Sequence, residues 1–527
     1  MGRTAVALDI GTSGMRAQLL DLESGGVVRT CVTSRNPLPG SNVMDHLTFA
    51  IERGTDTAGS ILRSAVGELL SRLKAEGICR LAVCGNPIQL SLFQGMEIRD
   101  LAYAGKNKLA DEGVPEVYRS GRIISGDAVG LGPDVEVVIP PAVRHEIGAD
   151  ALAMMVCSGF LDDDMCMVTD YGTNAEMAIK VGDRICTGSA AAGPALEGQQ
   201  ISSGMLAGPG ALSDLERIPE GWRCKVLNRS MEAQDGPLIN MRSCFVRKGG
   251  LAPVGITGTG TVALIYAGIQ DERIVLPEVR GDSIPVARGI SFSTKDLQEA
   301  GKAIGAIRAG QMTLMVKAGV SQKEIGTMYM AGASGTYVDP IKAKALGMVP
   351  PQAHRIIQVG NTSLRLARSL ALDPGRLAQL NEMRKKLLAE HVMFASSDVF
   401  RDLYVNELAY WTEGMPPDRY RRTLADLGLD GYLDEISDSD VVKTSDRDID
   451  DIGESFEMFD LQTSLAGEWD CSGCMACVRN CPEKALTKNG RKFAINAGRC
   501  LGTACARCRD NCPDKVFDWS RLSVENR

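Results

Sequence analysis

The chain is poor in several things that define common protein classes. No run approaches the ~20 consecutive apolar residues that a helical bilayer span requires, so no such span is expected. The opening Met1-Gly2-Arg3-Thr4-Ala5-Val6 has none of the charged region, apolar stretch and small-residue cleavage site of a secretory signal. Val6 also stands where a myristoylation signal wants Ser or Thr. The expected compartment is the cytoplasm, without a membrane partner. No basic stripe interleaved with aromatics is present, and aromatics make up only 5% of the residues, so nucleic acid is not an expected partner. The four histidines, His46, His145, His354 and His391, lie far apart and are read as structural.

What is there suggests several folding units. A length of 527 residues exceeds what one hydrophobic core usually serves. Sixteen cysteines would fit a disulfide framework in a small secreted chain. Here the chain is long and half of them bunch at one end, so reduced thiols and bound metal are expected. Charge is uneven as well: residues 434 to 470 hold thirteen acids against Lys443 and Arg447. Rich in Asp, Ser and Glu, the stretch 431–465 reads as an extended or mobile acidic linker. It separates an α/β body, divided as 1–160 and 161–430, from a cysteine-rich module at 466–527.

The body carries an internal repeat. TAVALDI, GTSG and MRAQLL read as strand, turn and strand from Thr4 to Leu20, and CMVTD, YGTN and AEMAIKVGD repeat the plan from Cys166. Asp9, Gly11, Thr12 and Ser13 match Asp170, Gly172, Thr173 and Asn174 in order. Such turns let backbone amides approach phosphate oxygens while the two acids position Mg²⁺ through water. Thr12, Ser13, Thr173 and Asn174 would add side-chain contacts. One copy alone is a weak motif and reads rather as a plain hairpin. Glu176 is a candidate for orienting water, with a solvated strand residue as the alternative. GITGTG at 255–260, whose Gly258 and Gly260 are candidate ATP-binding residues, and AGASG at 331–335 each follow a strand and let the backbone pass close to a ligand, or make a tight strand-to-helix turn. Residues 296–318 keep one apolar helical face, and two more helices are expected in 361–395, broken at Asp373-Pro374-Gly375.

In this order the four segments resemble the superfamily of sugar kinases, actin and heat-shock chaperones. The resemblance implies a two-lobed actin-like ATPase fold of duplicated ribonuclease-H-like domains with ATP bound between the lobes, and puts Gly332, Ala333 and Gly335 at the adenosine motif.

The cysteine spacing is the most specific pattern. Cys471, Cys474, Cys477 and Cys481, followed by Pro482, form CxxCxxCxxxCP, as in bacterial ferredoxins. Cys500, Cys505, Cys508 and Cys512, followed by Pro513, form a second set whose first gap is longer, which leaves the role of Cys500 open. Two zinc sites are the alternative, although zinc generally takes ligand pairs separated by a loop. Resemblance to two-cluster ferredoxins implies an α+β module with two 4Fe-4S clusters. In the crossed pairing it implies, Cys471, Cys474, Cys477 and Cys512 hold one cluster and Cys481, Cys500, Cys505 and Cys508 the other. The remaining eight cysteines are read as small core residues.

Over nearly its whole length the chain resembles the ATP-dependent reductive activators of corrinoid proteins, in their methylamine methyltransferase branch. ALDIGTSGMRAQLLD, VTDYGTNAEMA, GSAAAGPALEG at 188–198, GITGTG, MYMAGASGTYVDP and IQVGNTSLRLA at 357–367 carry it. Bacterial relatives place a one-cluster ferredoxin-like domain at the N-terminus, unlike the arrangement here. The resemblance implies one-electron reduction of Co(II) to Co(I) in a partner corrinoid protein, with ATP and a low-potential electron donor of unidentified nature. A small-metabolite kinase, an activator of 2-hydroxyacyl-CoA dehydratases and a nucleotide-gated scaffold are the alternatives on the same fold.

Overall fold

The computed structural model describes residues 3–102, 106–143, 147–387, 390–429, 436–503 and 505–525. His145 lies outside them. The chain divides into two compact units: Met1–Ala153 with Ser363–Leu388 and Asp451–Arg527, and Met154–Thr362 with Ala389–Asp450.

The first unit is built on a seven-stranded sheet. Thr4–Ile10, Met15–Asp21 and Val27–Thr33 form an antiparallel meander, and Arg80–Gly85 runs parallel to Thr4–Ile10 with Glu136–Ile139 beyond it. Ala5, Val6 and Ala7 are fully buried, as expected of a strand whose apolar run is continuous rather than alternating. The second unit repeats the plan. Arg184–Ala191, Asn174–Val181 and Met165–Tyr171 are antiparallel, followed by parallel Thr327–Ala331 and Arg355–Gly360. The order third, second, first, fourth, fifth strand is thus common to both units, so the sequence repeat is a repeat of topology.

The second unit also carries a five-stranded insertion sheet and the helix Gly258–Gln270. Its core helix, Thr294–Ala318, starts at a capping box made by Ser293 and Asp296 and stops at Gly319, which is left-handed. Gly301 and Gly305 bring it close to helix Asp398–Thr412: a Cβ at either would lie 2.8 Å from Trp411 and 2.9 Å from Glu407. Arg308 meets the buried Glu407 at 3.0 Å across this contact. Two helices, Thr362–Leu372 and Leu377–Leu387, flank the expected break. Among the described residues no helix is long and apolar enough to cross a membrane.

The acidic stretch corrects the expectation of an extended tether. Residues 431–435 lie outside the described part, but Asp440–Lys443 pairs in parallel with Arg355–Gly360, and Ser455–Phe459 pairs with Val27–Thr33. Each is an edge strand, where main-chain hydrogen bonds do the holding and polar side chains are tolerated. Glu457 is matched by Arg72 at 2.9 Å, and the buried Lys344 ammonium donates to the Ser437 carbonyl and the Ser439 hydroxyl at 2.6 and 2.7 Å.

The cysteine-rich module is a four-stranded antiparallel sheet of Leu486–Asn489, Lys492–Asn496, Ser464–Glu468 and Ser523–Glu525, with short helices Ala476–Arg479 and Arg507–Asp510. Its small core stacks Trp469 on Phe493 at 4.0 Å, with Phe517 edge-on. The module is packed on the first lobe: Phe49 meets Trp519 edge-on at 6.3 Å, and the Gly40 N–H donates to the Cys500 carbonyl at 2.8 Å.

Candidate functional site

In the first unit, the hairpin between Thr4–Ile10 and Met15–Asp21 holds Asp9, Gly11, Thr12 and Ser13. Asp9 is 4% exposed and faces Arg16 at 3.6 Å. Three residues that no motif announced complete the turn. The Asn36 amide donates to the Gly11 carbonyl at 2.7 Å, and the Asn86 amide donates to the Thr12 hydroxyl at 3.2 Å. Asn86 also caps helix Pro87–Phe93. Asp150, in the first turn of helix Ala149–Val156, is pushed up to about 6 by burial and, secondarily, by the Asp9 carboxylate. The two carboxylates are thus close enough to feel each other's charge, a pairing that a divalent cation would relieve.

The second unit repeats the hairpin with different supports. Asp170 lies directly across the strands from Glu176, which is buried at 9% exposure rather than solvated. The Thr173 hydroxyl donates to Glu197 at 2.8 Å, and the Gly193 N–H donates to the Thr173 carbonyl at 2.9 Å. Gly332, with φ of 80°, sits on the Asp170 carboxylate so closely that a Cβ would fall 2.2 Å from its Oδ1. Gly335 packs on Tyr171, and Ala333 lies between the two glycines at the start of helix Gly332–Tyr337. Gly172 lies in the turn itself, and Asn174 is the first residue of the strand that follows it. Gly258 and Gly260 answer to packing: a Cβ there would come within 1.6 Å of the Leu196 carbonyl oxygen and 2.3 Å of that of Leu212. Thr257 caps their helix through the Gly260 N–H at 3.0 Å.

Asp339, Ile341 and Lys342, which follow helix Gly332–Tyr337 in the chain, line an open cavity of about 720 Å³. Lys342 stands in its wall between Asp214 at 2.6 Å and Asp339 at 3.1 Å, with Tyr266, Gln270 and Ile341 beside them. Burial raises the Asp214 pKa, and the Lys342 charge opposes that shift. The size and the mixed apolar and hydrogen-bonding lining suit a nucleoside.

The eight cysteines of the module fall into two groups. Cys481, Cys500, Cys505 and Cys508 line one cavity with Leu486 and Ile495. Cys477 feels Cys512 and Cys474 electrostatically, and the Ser472 N–H beside Cys471 reaches Asp514 beside Cys512 at 2.7 Å. The two halves share backbone detail. Met475 and Ala506, each just after a cysteine, have φ of 59° and 46°, while Lys484 and Lys515, each after a Cys-Pro, have 51° and 52°. Non-glycine residues held in this region are strained, which is characteristic of backbone wrapped around a ligand. The Gly502 N–H points at the Cys500 sulfur at 3.4 Å and the Ala485 N–H at the Cys481 sulfur at 3.2 Å. Burial pushes the Cys500 and Cys508 thiols up to about 12, so they would ionise only on meeting a metal. Among the described residues no three His, Cys, Asp or Glu side chains are drawn together as ligands of one ion. Four thiols around a cavity with N–H donors to sulfur fit a cluster. Of the other cysteines, Cys31, Cys84, Cys166, Cys186 and Cys224 are buried and Cys79, Cys157 and Cys244 partly so. His46, His354 and His391 occupy separate places: His46 is buried beside Gln89 and His391 meets Thr187.

Comparison with known proteins agrees with this architecture. Residues 4–163 match the model of the RACo middle region, and residues 164–420 match that of the C-terminal domain of RACo, the ASKHA domain, an actin-like ATPase fold. A Methanosarcina barkeri protein named [Co(II) methylated amine-specific corrinoid protein] reductase is 44% identical, covering 95% of each chain. The corrinoid activation enzyme RamQ of Eubacterium limosum is 22% identical over 76% of this chain and 69% of its own. A solved reductive activator for corrinoid, iron-sulfur protein shares the fold with a TM-score of 0.63 at 23% identity, over 77% of this chain and 65% of that one. The chain belongs to the RACo family of reductive activators of corrinoid proteins.

Proposed function

We propose that this protein reductively activates corrinoid proteins of methylamine methyltransferase systems, using ATP and two 4Fe-4S clusters to return inactive Co(II) to Co(I). The observation that carries the reading is the gathering of Cys481, Cys500, Cys505 and Cys508 around one cavity, with Cys474, Cys477 and Cys512 near one another, in a module packed on the lobe that holds the Gly11 turn. The relative that is 44% identical is named for this reaction on a methylated amine-specific corrinoid protein, which supports the choice of substrate.

In this reading Cys471, Cys474, Cys477 and Cys512 hold one cluster, and Cys481, Cys500, Cys505 and Cys508 hold the other. When bound, the clusters supply one-electron transfer at low potential. One electron enters from a low-potential one-electron donor and one leaves to the substrate cobalt, so the redox balance closes without ATP. ATP is needed for energy. If the donor side is ~200 mV less reducing than the acceptor, the step is uphill by roughly 4–5 kcal/mol, at 59 mV and 1.4 kcal/mol per tenfold. Asp9 and Asp170 position Mg²⁺, and Glu176 orients the attacking water. Gly11, Thr12, Ser13, Gly172, Thr173 and Asn174 contact phosphate. Gly332, Ala333 and Gly335, with the cavity walled by Lys342, receive the adenosine. Gly258 and Gly260 let their helix pack closely behind. Binding of ATP favours a conformation that makes the partner's cobalt easier to reduce, without the nucleotide touching it. We place the reaction in the cytoplasm.

The test is a spectral titration of the Co(II) methylamine-specific corrinoid protein with reductant. Conversion to Co(I) should become complete only with both this protein and ATP. Equal conversion without ATP would remove the role assigned to the nucleotide site.

A further inference from the structure

The cysteine that departs from ferredoxin spacing, Cys500, is also where the module touches the first lobe. Its carbonyl accepts from the Gly40 N–H at 2.8 Å. Gly502, in the longer gap, has φ of 72° and passes so close to Pro39 that a Cβ would lie 3.2 Å from the Pro39 carbonyl oxygen. Earlier in the same segment, Asn36 is 5% exposed and donates through Nδ2 to the Gly11 carbonyl at 2.7 Å. Its Oδ1 accepts from the Leu38 N–H at 2.8 Å, so both ends of the amide are engaged and its orientation is fixed. The Asn36 carbonyl is 3.2 Å from where a Cβ on Gly498 would stand, and Arg35 reaches Glu483, two residues past Cys481, at 3.5 Å. Residues 35–40 are therefore a short strap with the phosphate turn on one side and the Cys481/Cys500/Cys505/Cys508 group on the other.

A second route joins the same ends. Thr12 is held by Asn86, which caps the helix bearing Gln89; Gln89 bonds to His46 at 2.8 Å. His46 lies on helix Val43–Arg53, whose Phe49 packs on Trp519, and Trp519 lines the cavity of those four cysteines. Neither route runs through Cys471, Cys474, Cys477 or Cys512.

We infer that Asn36 is a positioning residue through which nucleotide at the Gly11 turn tunes one cluster, the one held by Cys481, Cys500, Cys505 and Cys508, and leaves the other unchanged. The inference rests on the reading that these cysteines hold two clusters. A reorientation of the Gly11 peptide toward a phosphate pulls on the Asn36 amide, which is rigid. The strap then moves Pro39 and Gly40 against Gly502 and Cys500. The Gly502 N–H to Cys500 sulfur contact, at 3.4 Å, lies at the end of that path. Hydrogen bonds to cluster sulfurs set the reduction potential. By linkage the effect is reciprocal, so that cluster also tunes nucleotide affinity.

The test is a redox titration of the full-length reconstituted protein, followed by electron paramagnetic resonance, with and without saturating AMPPNP. In the wild type the analogue should shift the midpoint of one of the two cluster signals. In Asn36→Asp, which keeps the shape and loses the donor, that shift should fall to a third or less with iron and sulfide content unchanged. As a second arm that does not require this variant, Cys508→Ala should change AMPPNP affinity about fivefold, and Cys477→Ala should leave it unchanged. A wild-type shift that survives intact in Asn36→Asp, an equal shift of both signals, or equal affinities in the two cysteine variants would overturn the inference while leaving the function standing. Absence of either cluster signal from the wild type would overturn the cluster reading and this inference together.

Discussion

The Asp-x-Gly-Thr turns of the two units are near copies in sequence and topology, yet they are held in different ways. Around Gly172 the supports are local to the second unit: Thr173 is tied to Glu197 and Asp170 is capped by Gly332. Around Gly11 they come from the strap and from helix Pro87–Phe93, both of which lead on to the cysteine module. Duplication has preserved the turn, and divergence has occurred in the segment after the third strand of each copy. After Val27–Thr33 the chain runs into the strap, and after Arg184–Ala191 it runs into the loop bearing Glu197. The lesson is that a turn can be repeated within one chain while the elements that support it differ.

The largest expected effect separates the cysteine module from both turns. Cys508→Ala and Cys477→Ala should each halve the iron content and abolish Co(II) reduction, while ATP still binds. Iron and sulfide assay with calorimetric ATP titration checks this. Loss of ATP binding in both variants would make the module a structural prop.

Next comes Gly332→Ala, which sharpens the picture of the second turn. A methyl group at φ of 80° and 2.2 Å from the Asp170 carboxylate must displace one or the other. Strain of about 1–3 kcal/mol corresponds to roughly five- to 150-fold weaker ATP binding. Gly172→Ala, where the nearest atom is 3.2 Å away, should lose far less. Equilibrium binding of ATP to the two variants decides it.

Much of this was legible before the fold. The turns were visible because an acid at a strand end followed by Gly-Thr is a local pattern, and its repetition favoured a paired site over a chance hairpin. The cysteine groups were visible because ligand spacing is dictated by the size of the bound group. Asn36, Asn86, Asp150, Glu197 and Lys342 were not, because each sits in a segment without a motif and gains its role only from tertiary contact. GSAAAGPALEG marked the stretch containing Glu197 but assigned it no task. The acidic run misled because composition reports side chains, whereas Asp440–Lys443 and Ser455–Phe459 are held by main-chain pairing at sheet edges.

A smaller effect compares hydroxyls. Thr173→Val removes a donor from a partly buried carboxylate, at a cost of about 1–3 kcal/mol. Thr12→Val removes only an acceptor from the Asn86 amide at a partly exposed site, and should weaken ATP binding less. The ratio of the two dissociation constants is the readout, and a larger loss at Thr12 would reverse the comparison.

The smallest concerns pH. An ordinary carboxyl titrates near 3.9, whereas Asp150 is pushed up to about 6 in the folded chain. The folded state thus holds more protons than the unfolded one between those values, so stability falls as pH rises through about 4 to 6 and stays reduced above. Asp150→Asn should therefore melt higher than the wild type at pH 7, and the advantage should vanish by pH 4. Thermal unfolding in the two buffers measures it; a variant no more stable at pH 7 would show that Asp150 lacks the raised pKa.

In the proposed function one polypeptide carries both a nucleotide site and two iron-sulfur clusters. The most direct measurement is iron and acid-labile sulfide analysis of anaerobically reconstituted protein, with electron paramagnetic resonance after reduction. The account predicts two 4Fe-4S clusters per chain, retained through gel filtration. Zinc at these cysteines, or a colourless protein after reconstitution, would contradict it.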